Sequence, residues 1–271
     1  MSNLQLSPPT HLGRTVVLGY CDISAAGIRV LEGLSSTPGS TSEIRETGRE
    51  SLTFMGQGRP VFDGLPALEA VHFDGGSEEE SITLLKINTA LDEDLSAPLA
   101  LSITDLLAER RETVRRFFVA AAVQSPKRHQ IPASATTTGA STTIPSDTVC
   151  VFSCRGQSIN DQGDSSLGSA EPGSLSDLPA LPSAARITDS FLTTLVRLCR
   201  LADLPLFLLA RQGYRSTGAA AAVDGTDEAI KDLGHCLSQV TGLEFDVERA
   251  CDVRRSKGSV NRAAHVVPGY I

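Results

Sequence analysis

The chain has 271 residues, enough for one large domain or two small ones, with 41% hydrophobic and 21% charged residues. Aromatics make up 4% and Trp is absent, so the core must be built from Leu, Val, Ile and Ala, and a base-stacking platform lacks its material. The net charge of -8 speaks against nucleic acid as a partner, because its binders carry a basic excess or a basic stripe.

Met1 to Thr10 is polar and lacks the basic-then-apolar build of a signal peptide. No apolar run is long enough to cross a bilayer, so no membrane partner is expected. The expected compartment is the cytoplasm, with the nucleus as a second location. The 6 cysteines, Cys21, Cys150, Cys154, Cys199, Cys236 and Cys251, form no Cys-x-x-Cys pair and are expected to be small buried hydrophobes.

Arg14 to Tyr20 predicts a buried strand, and Ser24 a helix cap before Ile28 and Leu31. Ser35 to Glu80 is weakly patterned, with Leu68 to Phe73 as a candidate strand. Ile82 to Ile87 is a clearer one. Ser102 or Thr104 is expected to start a long helix running through Leu106, Leu107, Val114, Phe117, Phe118 and Ala121, with Glu112 and Arg116 as an i,i+4 pair. Ser125 to Ser146 is rich in Ser, Thr, Ala and Pro, and cannot offset its ordering entropy by burial. It is expected to be a disordered loop.

Asp147 to Ser153 returns to a strand, and Arg155 to Ala185 is a second Gly/Ser/Pro-rich loop. Thr188 or Asp189 is expected to cap a helix with Phe191, Leu192, Leu195 and Cys199 inward. Pro205 to Ala210 is a buried strand. Thr226 opens a helix through Ile230, Leu233 and Leu237 that Gly242 ends. Leu243, Phe245 and Val247 alternate like a short strand. Strand–helix alternation with apolar strands implies an α/β fold: a single domain with a mainly parallel sheet flanked by helices. The expected organisation is a core over 1–247, with disordered insertions at about 125–146 and 155–185, and a flexible tail over 248–271.

The motif tests for catalysis come back empty. The turn after the first strand, Gly19-Tyr20-Cys21-Asp22, has one Gly where a dinucleotide fold needs several. No Gly-x-x-x-x-Gly-Lys-Ser/Thr loop is present. Gly156-Gln157-Ser158-Ile159-Asn160 lacks the second Gly of a nucleophile elbow. Cys21, with His235 approaching from elsewhere, is the one conceivable nucleophile pair, but a structural histidine is the commoner outcome and neither residue is expected to do chemistry. The five His residues show no metal spacing, and neither cofactor nor metal is expected.

The chain ends Val266-Val267-Pro268-Gly269-Tyr270-Ile271. A penultimate Tyr in a chain with 3 Tyr suggests a docking peptide, whose terminal carboxylate pairs with a lysine while the ring fills an apolar cleft. The run Val149-Cys150-Val151-Phe152-Ser153-Cys154-Arg155 and the block Ile187 to Ala210 add two further signals. In the block, Leu195-x-Arg197-Leu198-Cys199 leads into Leu204-Pro205-Leu206-Phe207-Leu208-Leu209. Together with Tyr270 and Ile271, these stretches resemble the proteasome assembly chaperone 1 family, in its apolar strand leading to Cys-Arg, its helix-to-Pro-strand unit and its hydrophobic-tyrosine-any tail. They cover about a quarter of the chain. Gly269 departs from the family pattern, which has an apolar residue there.

The resemblance implies an α/β fold and a non-enzymatic chaperone that heterodimerises with an assembly chaperone 2-like protein. It further implies support of proteasome α-subunits as they form a ring, with a docking tail carried by Gly269, Tyr270 and Ile271. The alternatives are an α/β enzyme without a short motif, hydrolase or phosphorylase-like, and a scaffold subunit of another complex.

Overall fold

The computed structural model describes residues 9, 11–22, 25–36, 44–54, 60–62, 64–77, 80–123, 148–154, 175–182, 185, 187–213 and 226–252. The chain enters through β1 (Thr15–Tyr20), all six residues of which are buried, and turns into α1 (Ala26–Gly33). After β2 (Leu34–Ser35) come β3 (Arg45–Ser51), β4 (Leu68–Asp74) and β5 (Ile82–Ile87). Next are α2 (Glu93–Glu109), β6 (Arg116–Val123), β7 (Cys150–Ser153), α3 (Ser190–Leu201) and β8 (Leu206–Gln212). The described chain closes with α4 (Thr226–Thr241), β9 (Glu244–Phe245) and α5 (Val247–Asp252).

Seven strands form one sheet in the order β3-β4-β5-β1-β6-β8-β7. The four central strands, β5, β1, β6 and β8, run parallel, as their continuous apolar sequences require when both faces are covered. β3, β4 and β7 are added antiparallel at the borders. One face packs against α2 and α3 through Leu99, Ile103, Leu107, Phe191 and Leu195. The other packs against α1, α4 and α5 through Val30, Leu31, Ile230, Leu233 and Ala250. The single α/β domain with a mainly parallel sheet is therefore as the sequence implies.

Local signals explain several of the helix ends. Asp189 caps α3 by accepting Leu192 N at 2.7 Å, and Asp92 caps α2 by accepting Leu95 N at 2.9 Å. Gly242 ends α4 with φ 74°, its N–H donating to Ser238 O at 2.8 Å.

The long helix expected from Ser102 or Thr104 to Ala121 is corrected. The helix starts earlier, after Asp92, and stops at Glu109; residues 116–123 are β6, a central strand paired on both sides. Arg-Phe-Phe-Val-Ala-Ala-Ala-Val is apolar nearly throughout, so it meets the helical and the strand template equally, and its length is that of a strand. Pro98 lies inside α2, which hides the true start from a reading that avoids helix-internal proline. Glu112 lies in a turn and Arg116 opens β6, so they are no helical pair.

β3 emerges from the weakly patterned stretch. Its sequence has no large apolar residue because it is a border strand, and its pairing with β4 is interrupted between Glu46 and Gly48. Val247, expected to continue a strand, opens α5 instead. Residues 248–252, assigned to the tail from sequence, belong to that helix and bury Ala250 completely, so the folded core extends to Asp252.

The loop expected at 125–146 lies outside the described residues, as does most of 155–185. At the far end of the latter, residues 179–181 run along β7: Val151 N donates to Pro179 O at 2.9 Å and Leu181 N donates to Val151 O at 2.7 Å.

Candidate functional site

In an open parallel sheet the place for a ligand is the crevice beyond the carboxyl ends of the strands, where adjoining connections leave to opposite faces. β1 and β6 meet that condition. β1 feeds α1 on one face, and β6 leads through β7 to α3 on the other. The residues at that point are Tyr20, Cys21 and Asp22 from the end of β1, Ala122 from β6 and Asp189 at the head of α3.

Two glycines let α1 lie directly on β1. A Cβ on Gly27 would stand 2.7 Å from the Ala120 carbonyl oxygen, and a Cβ on Gly19 would collide with the Gly27 carbonyl. The close approach brings the first amides of α1 to Asp22. Its Oδ1 accepts Gly27 N at 3.0 Å, and Oδ2 accepts Ala122 N of β6 in a short hydrogen bond. Ser24, expected as the cap, lies outside the described residues; Asp22 does the capping.

Burial raises the Asp22 carboxyl well above the usual range. The backbone donors at Gly27 and Ala122 pull the other way, and Asp189 adds to the rise. Asp189 is raised as well, chiefly by burial. Tyr20, 1% exposed, packs against Phe191 with the rings tilted by 55° and their centroids 4.8 Å apart. Burial, then the neighbouring carboxyls of Asp189 and Asp22, push its phenol up.

A short segment roofs the neighbouring strand end. Phe62 packs with Ala25 and Ile28, and Cys21, Val61 and Leu65 close around them. Asn88, just past β5, holds this segment by its backbone. Its Oδ1 accepts Phe62 N at 2.9 Å, and its Nδ2 donates to Phe62 O at 3.0 Å and Leu65 O at 3.2 Å.

The structure does not bring Cys21 and His235 together. Cys21 precedes α1, and burial followed by Asp22 raises its thiol far above the usual value. His235 is on the exposed side of α4, edge-on to Phe245 with centroids 5.5 Å apart. Phe245 in turn packs against Gly33, the last residue of α1. A whole helix, about 12 Å, separates the two. Among the described residues no cluster of His, Cys, Asp or Glu is placed to hold a metal, and no helix is long and apolar enough to cross a membrane.

Gly269, Tyr270 and Ile271 lie outside the described residues. The other two stretches of family resemblance form one packed unit: β7 pairs with β8, Cys154 N donates to Leu206 O at 3.1 Å, and the Cys154 thiol reaches the Val196 carbonyl of α3 at 3.7 Å.

Strand order, mixed borders and the two helical layers define the class: an α/β protein with a mainly parallel seven-stranded sheet. No protein-family model matches the chain, and no curated protein matches its sequence. Solved structures do match its fold. PbaA from Pyrococcus furiosus, an archaeal homolog of proteasome-assembly chaperone, is 14% identical with a TM-score of 0.58, over 97% of this chain and 100% of that one. Its monoclinic form gives 15% and 0.56, over 97% and 92%. A protein with unknown function from Thermoplasma acidophilum is 8% identical with a TM-score of 0.51, over 94% and 88%. At such identities the likeness is one of fold.

Proposed function

We propose that the chain is a non-catalytic chaperone of proteasome assembly. It pairs with a related assembly chaperone 2-like partner, supports the α-subunits as their ring forms, and docks its C-terminal tail between neighbouring α-subunits through Tyr270 and the Ile271 carboxylate. The observation that carries this reading is the fold it shares, over nearly the whole of both chains, with the archaeal assembly-chaperone homolog. The resemblance in sequence adds to it, since two of its stretches coincide with β7 and the α3–β8 unit.

The strand-end crevice also favours a non-catalytic role. Its backbone donors are engaged by Asp22, and burial, followed by Asp22, raises its thiol far above the usual value. The test is reconstitution from purified components: this chain, the candidate partner chaperone and α-subunits, followed by size-exclusion with light scattering. A stable heterodimer that retains α-subunits is the expected result. A monomer that ignores both overturns the reading.

A further inference from the structure

Two helices end side by side at the margin of the sheet where the parallel strands begin. α2 and α3 run in the same direction. Near their heads Ser190 Oγ donates to Ser96 Oγ at 3.3 Å, and past their ends Arg111 Nη2 donates to Asp203 Oδ2 at 2.9 Å. The chain leaving α2 is drawn against the start of β1 by the Arg14 carbonyl, which accepts Arg115 N at 2.8 Å and Arg116 N at 3.1 Å. Arg14, Arg110, Arg111, Arg115 and Arg116 thus gather at one end of the molecule. Arg200, in the last turn of α3, joins them through the turn that carries Asp203.

A cation at the end of a helix is ordinary, because the macrodipole leaves that end negative. This accounts for Arg110, which caps α2, and for Arg200. It does not account for Arg115 and Arg116, which lie past the helix at the mouth of β6. Arg111 is paired with Asp203, whereas Arg110, Arg115, Arg116 and Arg200 have no ion-pair partner among the described residues. The carboxylates close by are Glu109, Glu112 and Asp203, so six arginines stand against three acids in a chain of net charge -8. A turn further back, Arg197 of α3 and Asp105 of α2 add one charge of each sign.

Leu201 follows Arg200 and is 84% exposed. It and Leu101 are the large apolar side chains left open among the described residues. Like charges held together repel one another, and an open leucine keeps apolar surface in water. Both are relieved by a partner that brings carboxylates and an apolar group. The planar arginine fork suits that role, since it pairs a carboxylate through two hydrogen bonds and is weakly hydrated.

We propose that this end of the molecule docks an acidic segment of a partner protein. The carboxylates of the segment pair with Arg110, Arg115 and Arg116, and an apolar side chain beside them packs on Leu201. The occupant is protein rather than nucleic acid, because the chain as a whole is acidic and its 4% aromatics provide little on which bases could stack. None of this depends on the chaperone reading.

The experiment is fluorescence anisotropy with the full chain and labelled probes of equal length: a peptide of Glu and Ser with one Leu, the same peptide with Gln for Glu, and an oligouridylate. The expected result is saturable binding of the acidic peptide, weakened by salt and tighter than that of either other probe. Arg110→Glu/Arg115→Glu should weaken it by at least about tenfold, and Leu201→Ser by about threefold. Lys231→Glu/Arg249→Glu makes the same change of charge at exposed positions of α4 and α5, on the opposite helical layer, and should change binding by less than about twofold. Melting temperatures establish that each variant is folded. If Arg110→Glu/Arg115→Glu is not, Arg110→Gln/Arg115→Gln replaces it and is read against the same control. Failure of the acidic peptide to bind overturns the proposal, as do equal losses in the two double variants, or binding of the oligouridylate or the Gln peptide as tight as that of the acidic peptide.

Discussion

Lys86 of β5 and Glu32 of α1 form an ion pair beneath the helix, Nζ to Oε1 2.8 Å, with side chains only 3% and 8% exposed. Glu69 of β4 stands 3.7 Å from the same ammonium group. Removing one member of such a pair leaves an uncompensated buried charge, which costs about 3–5 kcal/mol, whereas replacing both by apolar residues of similar volume is often neutral. Lys86→Ala should therefore lower stability in urea by about 3 kcal/mol. The double variant Glu32→Leu/Lys86→Met should recover most of that loss. A single variant as stable as wild type would show that water reaches the pair.

The contact of α1 with β1 is made backbone to backbone. Gly27→Ala introduces a Cβ 2.7 Å from the Ala120 carbonyl oxygen, so helix and sheet must part by several tenths of an ångström. Overpacking of this kind costs about 1–3 kcal/mol, and the shift should also pull the Gly27 amide from Asp22. Gly48→Ala is the control, since a Cβ at that position meets nothing within 4 Å. Chemical denaturation of the two variants should separate them clearly.

The acid cluster gives stability an unusual dependence on pH. Asp22 and Asp189 have raised carboxyl values in the fold, so the stabilisation they supply is complete below the usual carboxyl value of about 3.9 and is lost as pH rises through the raised values. His72 acts in the opposite direction. Burial first, and the ring of His11 at 4.3 Å next, lower its value, while Glu50 and Asp74 partly oppose them. Its stabilisation is present above about 6.5 and is lost as pH falls. Asp22→Asn should flatten the loss on raising pH from about 4, and His72→Gln the loss on lowering it from about 6.5. Melting temperatures across that range read both slopes.

The Gly/Ser/Pro-rich insertion should divide into two parts on truncation. Residues 179–181 hydrogen-bond to Val151, so the far end of the insertion belongs to the sheet. Joining Cys154 to Leu175 through a short Gly/Ser linker should leave the melting temperature nearly unchanged, because loop length costs only about 0.6 kcal/mol per doubling. Extending the deletion through Ala185 should lower it measurably. Equal melting temperatures for the two deletions would show the edge contacts to contribute nothing.

Tyr270→Ala, or deletion of Tyr270 and Ile271, should weaken binding to proteasome α-ring intermediates by at least about tenfold, since aromatic anchors typically contribute about 2 kcal/mol or more. Pairing with the partner chaperone and the melting temperature should be unchanged. Tight binding by the truncated chain would reduce the tail to a frayed end.

Much of the fold is legible in the sequence where one signal dominates. β1, β5 and β8 announce themselves as short apolar runs, and α3 and α4 by an apolar stripe between an acidic or threonine start and a defined stop. β6 is misread because its sequence satisfies two periods at once, and only its neighbours β1 and β8 decide between them. β3 is invisible because a charged border strand has no apolar face to display. The Asp22 clasp is a different case. Its partner amide at Ala122 lies 100 residues away and carries no side-chain signature, so no local pattern could disclose it. The sequence placed Cys21 in the right crevice, but its surroundings, which keep the thiol protonated, appear only in three dimensions.

The two borders of the sheet have a consequence for association through strand addition. On one side β3 is lined with Arg45, Glu46, Arg49 and Glu50 and is broken in register. On the other, Val151 of β7 has both its backbone groups engaged by Pro179 and Leu181. A stray strand that tried to add itself would meet charge and curvature at one margin and an occupied ladder at the other. Such a sheet offers other chains no free margin on which to extend it.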